Sequence, residues 1–456
     1  SIYDLIQIHR HKMRMDYESR NLLIQIDDDT ITVNTSVQSL AAEHADNQDP
    51  NQATTTAASA SASAASAAAA AAATTTWSLS ALASNSNGST FWREMSIYRN
   101  TMRIFGTSCN GKNSLPVHVD KYNIESLHAI RFLSMSWIIL GHTFGFAFLF
   151  SDNALFTVEW LKSFSFSIIY NGFFAVDSFF LLSGLLTCYV FMRELDKPNA
   201  KITCFTLIKY YVHRYWRLTP VYMLVLMFSA TLTEYLGAGP FFPKDGFEVD
   251  KCSDTWWTNL LYINNFINPN RTCFPIGWYL ANDFQFHLVA PLILVPFGVG
   301  RFFLAILVCI LFLIGNILSI SLTLNSRPGS EQGMFGPESL FFSKWIYFKP
   351  WTRIAPYIIG LMLGYLLFIH KKQTYNNPSR NYILKSIGWL VSLSFTSLAV
   401  YGLYPDFKNF PAMELSRTSH ILYQTFSRLI WSLGLAYIIY ACEASRKSKH
   451  FLFQLF

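Results

Sequence analysis

The chain has 456 residues, a net charge of +7 and only 14% charged residues against 52% hydrophobic ones, where ordinary soluble domains carry about 25% charged residues. With a mean hydropathy of +0.26, this composition argues against a soluble enzyme of this size. The basic excess is too small and scattered for a nucleic-acid binder.

In chain order, residues 1–126 form a polar region without a long apolar run, read as cytosolic and largely disordered. Asp27, Asp28 and Asp29 begin an acidic stretch, and 54–76 is almost purely Ala, Ser and Thr. That tract has no apolar stripe to bury, so disorder is expected there. The basic, aromatic segment Phe91–Phe105 fits either a helix lying on a membrane surface or an ordinary surface helix.

From His128 onward the pattern changes. Eight apolar stretches follow, at 128–150, 164–192, 218–236, 276–299, 302–324, 354–369, 387–404 and 421–441. A helix crosses the hydrocarbon core in roughly 17–25 residues. The expectation is therefore an all-α, polytopic membrane helix bundle of about eight spans over residues 127–456.

Orientation follows from Lys and Arg in the short loops. With residue 127 in the cytosol, the loops 193–217, 300–301, 370–386 and 442–456 carry 14 Lys/Arg, against 10 in the longer opposite loops. Both ends of the chain are then cytosolic, in the plasma membrane or an internal membrane. Cys252 and Cys273, 21 positions apart in the long non-cytosolic loop 237–275, are a disulfide candidate. Asn270 in the same loop is a glycosylation candidate, as Asn270-Arg271-Thr272. Cys188, Cys309 and Cys442 read as packing residues.

Ionisable groups at membrane depth are costly, so each asks for a reason. Arg131 and His142 are 11 residues apart, about three helical turns, and share one face. An imidazole midway through the bilayer can take a proton from a hydroxyl, and Arg131 at the cytosolic mouth can hold a phosphate. The plainer account is a snorkelling arginine and a histidine bonded within the bundle. Asp177 in the second span reaches a depth similar to His142, where a carboxylate can orient an imidazole; it can equally pair with another charge for structure alone. Ser183-Gly184 favours close helix packing.

Lys209, Arg214 and Arg217 in KYYVHRYWRLTP form a basic cytosolic rim suited to a multiply phosphorylated ligand, or to positive-inside anchoring. Asp283 and His287 lie four apart on one helix face in WYLANDFQFH. No third metal ligand is near, so no metal is expected. Arg428 in the last span can supply a counter-charge. Together these give one central polar layer of His142, Asp177, Asp283 and Arg428 above the basic rim. Gly-rich phosphate loops, Gly-x-Ser-x-Gly elbows and clustered Cys/His zinc patterns are absent from the sequence.

Arg131-x10-His142, followed by GFFAVDSFFLLSG, HRYWRLTP and WYLANDFQFHLVAPLIL in that order, resembles the acyltransferase-3 family. IESLHAIRFLSMSWIILGH and WYLANDFQFH are most similar to its animal nose-resistant-to-fluoxetine branch, as are SIYDL and SIYRNTMRIF upstream. The resemblance covers about 120–441. It implies a membrane enzyme moving an acyl group from an acyl-CoA-like donor to a hydroxyl on a lipid or small molecule. It also implies His142 as general base, Arg131 as its partner, and Arg214 and Arg217 on the donor side. Asp283 stands where bacterial relatives usually place Glu. Animal relatives begin with a signal peptide, a Cys-rich domain and another span, and continue past the last span seen here. The chain therefore reads as an internal fragment. A lipid or small-molecule transporter using the same polar layer is the competing expectation.

Overall fold

The computed structural model describes residues 124, 126–149, 159–198, 200–232, 235–237, 249–267, 272–373, 382–409 and 414–445. The expectations for 1–123, including the tract 54–76 and the segment Phe91–Phe105, and the acceptor Asn270, fall outside these residues.

The described residues are helical, with no strand among them. The elements in order are α1 (Ser126–Leu149), α2 (Phe166–Tyr170), α3 (Phe173–Leu195), α4 (Cys204–Thr231), α5 (Val249–Leu260), α6 (Trp278–Val289), α7 (Pro291–Gly298), α8 (Phe302–Ser326), α9 (Ser339–Phe342), α10 (Ala355–Gln373), α11 (Tyr382–Tyr401), α12 (Tyr404–Lys408) and α13 (Arg417–Ser445). Helix falls on each of the eight apolar stretches, but eight spans is more than the described residues support. Five segments are long and apolar enough to cross a membrane: Phe173–Leu195, Pro275–Gly298, Phe302–Ser326, Ile383–Lys408 and Arg417–Ala444. α4 falls outside that set; its N-terminal half carries Lys209, His213, Arg214 and Arg217.

Two of the expected stretches are broken by local chemistry. The stretch 164–192 is divided at Asn171-Gly172, which separates α2 from α3. Pro291 has no backbone N–H and starts α7 directly after α6. Thr203 caps α4, its hydroxyl accepting from the Thr206 N–H at 3.2 Å. Gly300, in the left-handed region at φ +80°, turns the chain between α7 and α8.

α3 is the centre of the bundle and α10 is packed tightly against it. A Cβ added at Gly184 would stand under 3.0 Å from the Tyr357 carbonyl, and one at Gly360 under 3.0 Å from the Leu181 carbonyl. Small residues at the crossing let two backbones meet, as expected for Ser183-Gly184. The core around them is Phe180, Leu181, Leu185, Phe286, Ile293, Tyr357 and Leu361, all essentially inaccessible.

The loops sort to two ends of the bundle. At one end the Ser126 hydroxyl donates to Glu443 at 3.0 Å, Lys371 lies 3.5 Å from Glu443, and Lys372 pairs with Asp196 at 2.5 Å. At the other end Asn171 donates to the Val400 carbonyl at 2.6 Å and Lys349 donates to the Asn265 carbonyl at 2.8 Å. Cys252 on α5 is disulfide-bonded to Cys273 at that second end, matching the expected pairing. Cys188 and Cys309 are buried in the core.

Candidate functional site

The charges expected in one layer occupy two separate clusters on either side of α3. The first joins α4, α3 and α6. Arg214 donates through Nη2 to the Asp283 carboxylate and to the Ser183 hydroxyl, the latter at 3.1 Å. Asp283 is buried and Arg214 largely so. One turn beyond Asp283, the His287 ring stacks on Tyr210 with centroids 3.9 Å apart and planes 11° from parallel. The Tyr210 hydroxyl lies 2.9 Å from His287 Nδ1. Asp283 Oδ1, Arg214 Nε and His287 Nε2 are buried without a hydrogen-bond partner. Three unsatisfied polar atoms in one cluster leave unused binding capacity, since buried polar groups are ordinarily paired.

The second cluster joins α3, the start of α10 and α13. Arg353 Nη1 donates to Asp177 Oδ1 at 2.7 Å, and both side chains are almost wholly buried. Arg353 also lies over the Tyr347 ring, 4.0 Å from its centroid, and donates from Nε to the Tyr347 carbonyl at 3.2 Å. Arg428 Nε is 3.9 Å from Asp177 Oδ2. Arg428 is thus the expected counter-charge, but Arg353 holds the shorter contact. Asp177 and Ser183 are six residues apart on α3, which at ~1.5 Å per residue separates the clusters by ~9 Å along the axis.

His142 joins neither cluster. Its ring is exposed on α1, and its polar contact is between Nδ1 and the Ile138 carbonyl, at 2.9 Å. A carbonyl only accepts, so Nδ1 is the donor in this contact, and in a neutral ring Nε2 is then the acceptor. The expected placement of Asp177 against His142 therefore gives way to an Asp177–Arg353 pair. Arg131 is half-buried and, among the described residues, has no ion pair or hydrogen bond. The basic rim is divided as well: Arg214 turns inward to Asp283, while Lys209 and Arg217 remain exposed.

Sequence reasoning passed over Arg353, Ser183 and Tyr210. Arg353 was counted as a loop charge, although it stands two residues before an apolar helix, where a single turn carries it inside. Ser183 read as a packing residue and is also an acceptor for Arg214. Among the described residues no group of three or more His, Cys, Asp or Glu is placed to hold a metal ion.

Comparison with known proteins bears on this arrangement. The family model Acyl_transf_3, described as an acyltransferase domain, matches residues 124–456. Nose resistant to fluoxetine protein 6 of Caenorhabditis elegans is 34% identical over 362 residues, 74% of this chain and 43% of that protein. Regulator of hypoxia-inducible factor 1 of the same organism is 23% identical over 63% of this chain and 58% of its own length. A protein of Staphylococcus aureus (strain COL) named "Putative O-acetyltransferase" is 26% identical over 50% of this chain and 35% of its own length. The chain thus spans between 35% and 58% of the length of these relatives. No solved structure matches it.

Proposed function

From the premise that the chain belongs to the acyltransferase-3 family, we propose that it carries out O-acyl transfer within a membrane. The donor is an acyl-CoA-like thioester and the acceptor is a hydroxyl on a lipid or small molecule. His142 Nε2 takes the hydroxyl proton, and the oxygen attacks the thioester carbonyl carbon. The carbon–sulfur bond breaks, and the thiolate leaves with the proton returned from His142. The observation that supports this reading is the 2.9 Å contact between His142 Nδ1 and the Ile138 carbonyl, which in a neutral ring leaves Nε2 as the open acceptor.

Arg131, Lys209 and Arg217 supply the donor's anionic groups with cations that carry no ion pair among the described residues. Asp283 holds Arg214 on the first cluster rather than acting as a base, because its pair with Arg214 is already made. The end bearing Ser126, Asp196, Lys372 and Glu443 is the cytosolic one, where acyl-CoA is found and where Lys and Arg are denser.

The test is mass spectrometry of membranes given isotopically labelled acyl-CoA, with and without the protein in its full length. Labelled acyl esters should appear with the wild-type protein and fall at least about a hundredfold for His142→Ala, in line with loss of a general base. A His142→Ala protein with undiminished transfer would sink the assignment of the base. Flux of a labelled lipid across the bilayer with no covalent change would favour the transporter reading instead.

A further inference from the structure

A cavity of about 50 Å³ lies toward the end of the bundle away from Ser126 and Glu443, between α3, α13 and the segment 332–347. Its polar lining includes Asp177, Arg428, Gln424 and Ser427, and its apolar walls include Phe173 and Phe335. Arg428 is more than nine-tenths buried, yet its Nη1 has no hydrogen-bond partner. Arg353, at the back of the cluster, also keeps an unpartnered Nη2.

The charges do not balance. Asp177 faces two arginines, Arg353 at 2.7 Å and Arg428 at 3.9 Å, so the cluster carries one uncompensated positive charge. The neighbouring carboxylates are committed elsewhere. Asp406 Oδ1 accepts from the Glu414 and Leu415 backbone N–H groups at 2.9 and 2.8 Å, and its Oδ2 faces His420 at 2.9 Å. Glu331 lies 3.5 Å from Arg417 and accepts from the Gly329 N–H. A buried, unpaired guanidinium is costly. A cavity placed against it gives an anion somewhere to sit.

We propose that this cavity binds a small organic carboxylate, with Arg428 as its ionic partner. One excess charge matches a monoanion. A carboxylate fits the flat fork of a guanidinium, and the Gln424 amide and Ser427 hydroxyl lie on the same stretch of α13 to complete its hydrogen bonding. A volume of about 50 Å³ admits an acid no larger than acetate, whose methyl group meets the phenylalanine walls that a bare inorganic ion would leave unused. The inference concerns binding alone and does not depend on acyl transfer.

The test uses the full chain purified in lipid nanodiscs in a low-anion buffer. Thermal unfolding is followed against acetate, chloride and phosphate at matched ionic strength. Acetate should raise the wild-type melting temperature saturably and at lower concentration than either inorganic ion. Arg428→Gln should weaken the apparent acetate affinity at least about tenfold, the loss expected for a charge-assisted hydrogen bond. Gln424→Ala, which leaves every charge in place, should weaken it by a smaller factor and decides the matter if Arg428→Gln does not fold. No saturable acetate shift, unchanged affinity in the folded variants, or tighter binding of chloride or phosphate would each overturn the proposal.

Discussion

α3 and α8 are of nearly equal length and both are apolar enough to cross a membrane, yet they occupy opposite places in the bundle. α8 is the more apolar of the two, but only 22% of its most apolar stretch is buried, against 67% for that of α3. The inward stripe of α8 is narrow: Ala305, Cys309, Asn316, Ile320 and Leu324, at helical spacing. The rest of its surface, including Phe303, Leu307, Leu311 and Leu322, is exposed for lipid. α3 carries Asp177 and Ser183 and is surrounded by other helices. In lipid, apolar character marks the periphery, because hydrocarbon solvates leucine as well as another helix does. Polar atoms and small residues mark the centre, since only there can they be paired or closely packed.

The largest effect that this contrast predicts is at the α3–α10 crossing. Gly360→Leu forces a side chain into the Leu181 backbone, which cannot move as a flexible side chain would. The two helices must separate, so the variant should cost more than the ~1–3 kcal/mol of ordinary overpacking and should fail to give a monodisperse protein in detergent. A Gly360→Leu protein that melts with the wild type would mean that α3 and α10 do not meet as described. Next is Asp177→Asn. It leaves Arg353 and Arg428 buried together without a counter-charge and should cost ~3–5 kcal/mol in equilibrium unfolding. Adding Arg353→Met should recover part of that loss, because it removes the charge that Asp177 neutralised. Equal stability of the single and double variants would break the pairing.

Much of this architecture was legible in the residues themselves. The helices, the sorting of loops to two ends and the Cys252–Cys273 pair follow from apolar run length, charge in the short loops and cysteine placement. The division of the polar layer was not legible. Hydropathy gives the depth of Asp177 and His142 but not the rotation of one helix against another, and rotation decides whether two side chains at one depth touch. Arg353 was hidden for a related reason: the chain from Ser330 to Thr352 folds into short helical turns that carry a loop charge into the core. Arg214 and Arg217 share a face by spacing. Even so, one of them finds Asp283 and the other is left exposed, a choice made by α6.

Outside the lipid-facing helices, burial by protein alone sets the energetics, and Lys349 measures it. It is 5% exposed, donates to the Asn265 carbonyl at 2.8 Å and stands 5.3–5.7 Å from the rings of Phe266, Trp345 and Trp351. Burial, reinforced by Lys344, lowers its pKa below the ordinary lysine value of 10.5. Between the lowered value and 10.5 the unfolded chain binds the proton better than the folded one, so stability should rise as pH climbs through that window. Below the window the cost of holding the charged form is constant. Thermal melts of the wild type against Lys349→Met should show this rise only in the wild type. An identical pH profile in both would place the titration elsewhere.

The smallest effect belongs to the lipid-facing side of α8, and it sharpens the contrast most. Gly315 lies mid-helix with no atom within 4 Å of where a Cβ would stand. Gly315→Ala therefore meets no neighbour, and it removes backbone freedom that the unfolded chain otherwise keeps, worth about 0.5–1 kcal/mol in a helix interior. The expected result is a melting temperature equal to or slightly above that of the wild type, read in the same detergent as Gly360→Leu. Even a single Cβ would meet the Leu181 backbone at Gly360 and meets nothing at Gly315, so the two positions separate by whether a second backbone lies opposite. A marked loss of stability for Gly315→Ala would mean that this face of α8 is covered by protein, and that apolar exposure there is not a lipid contact.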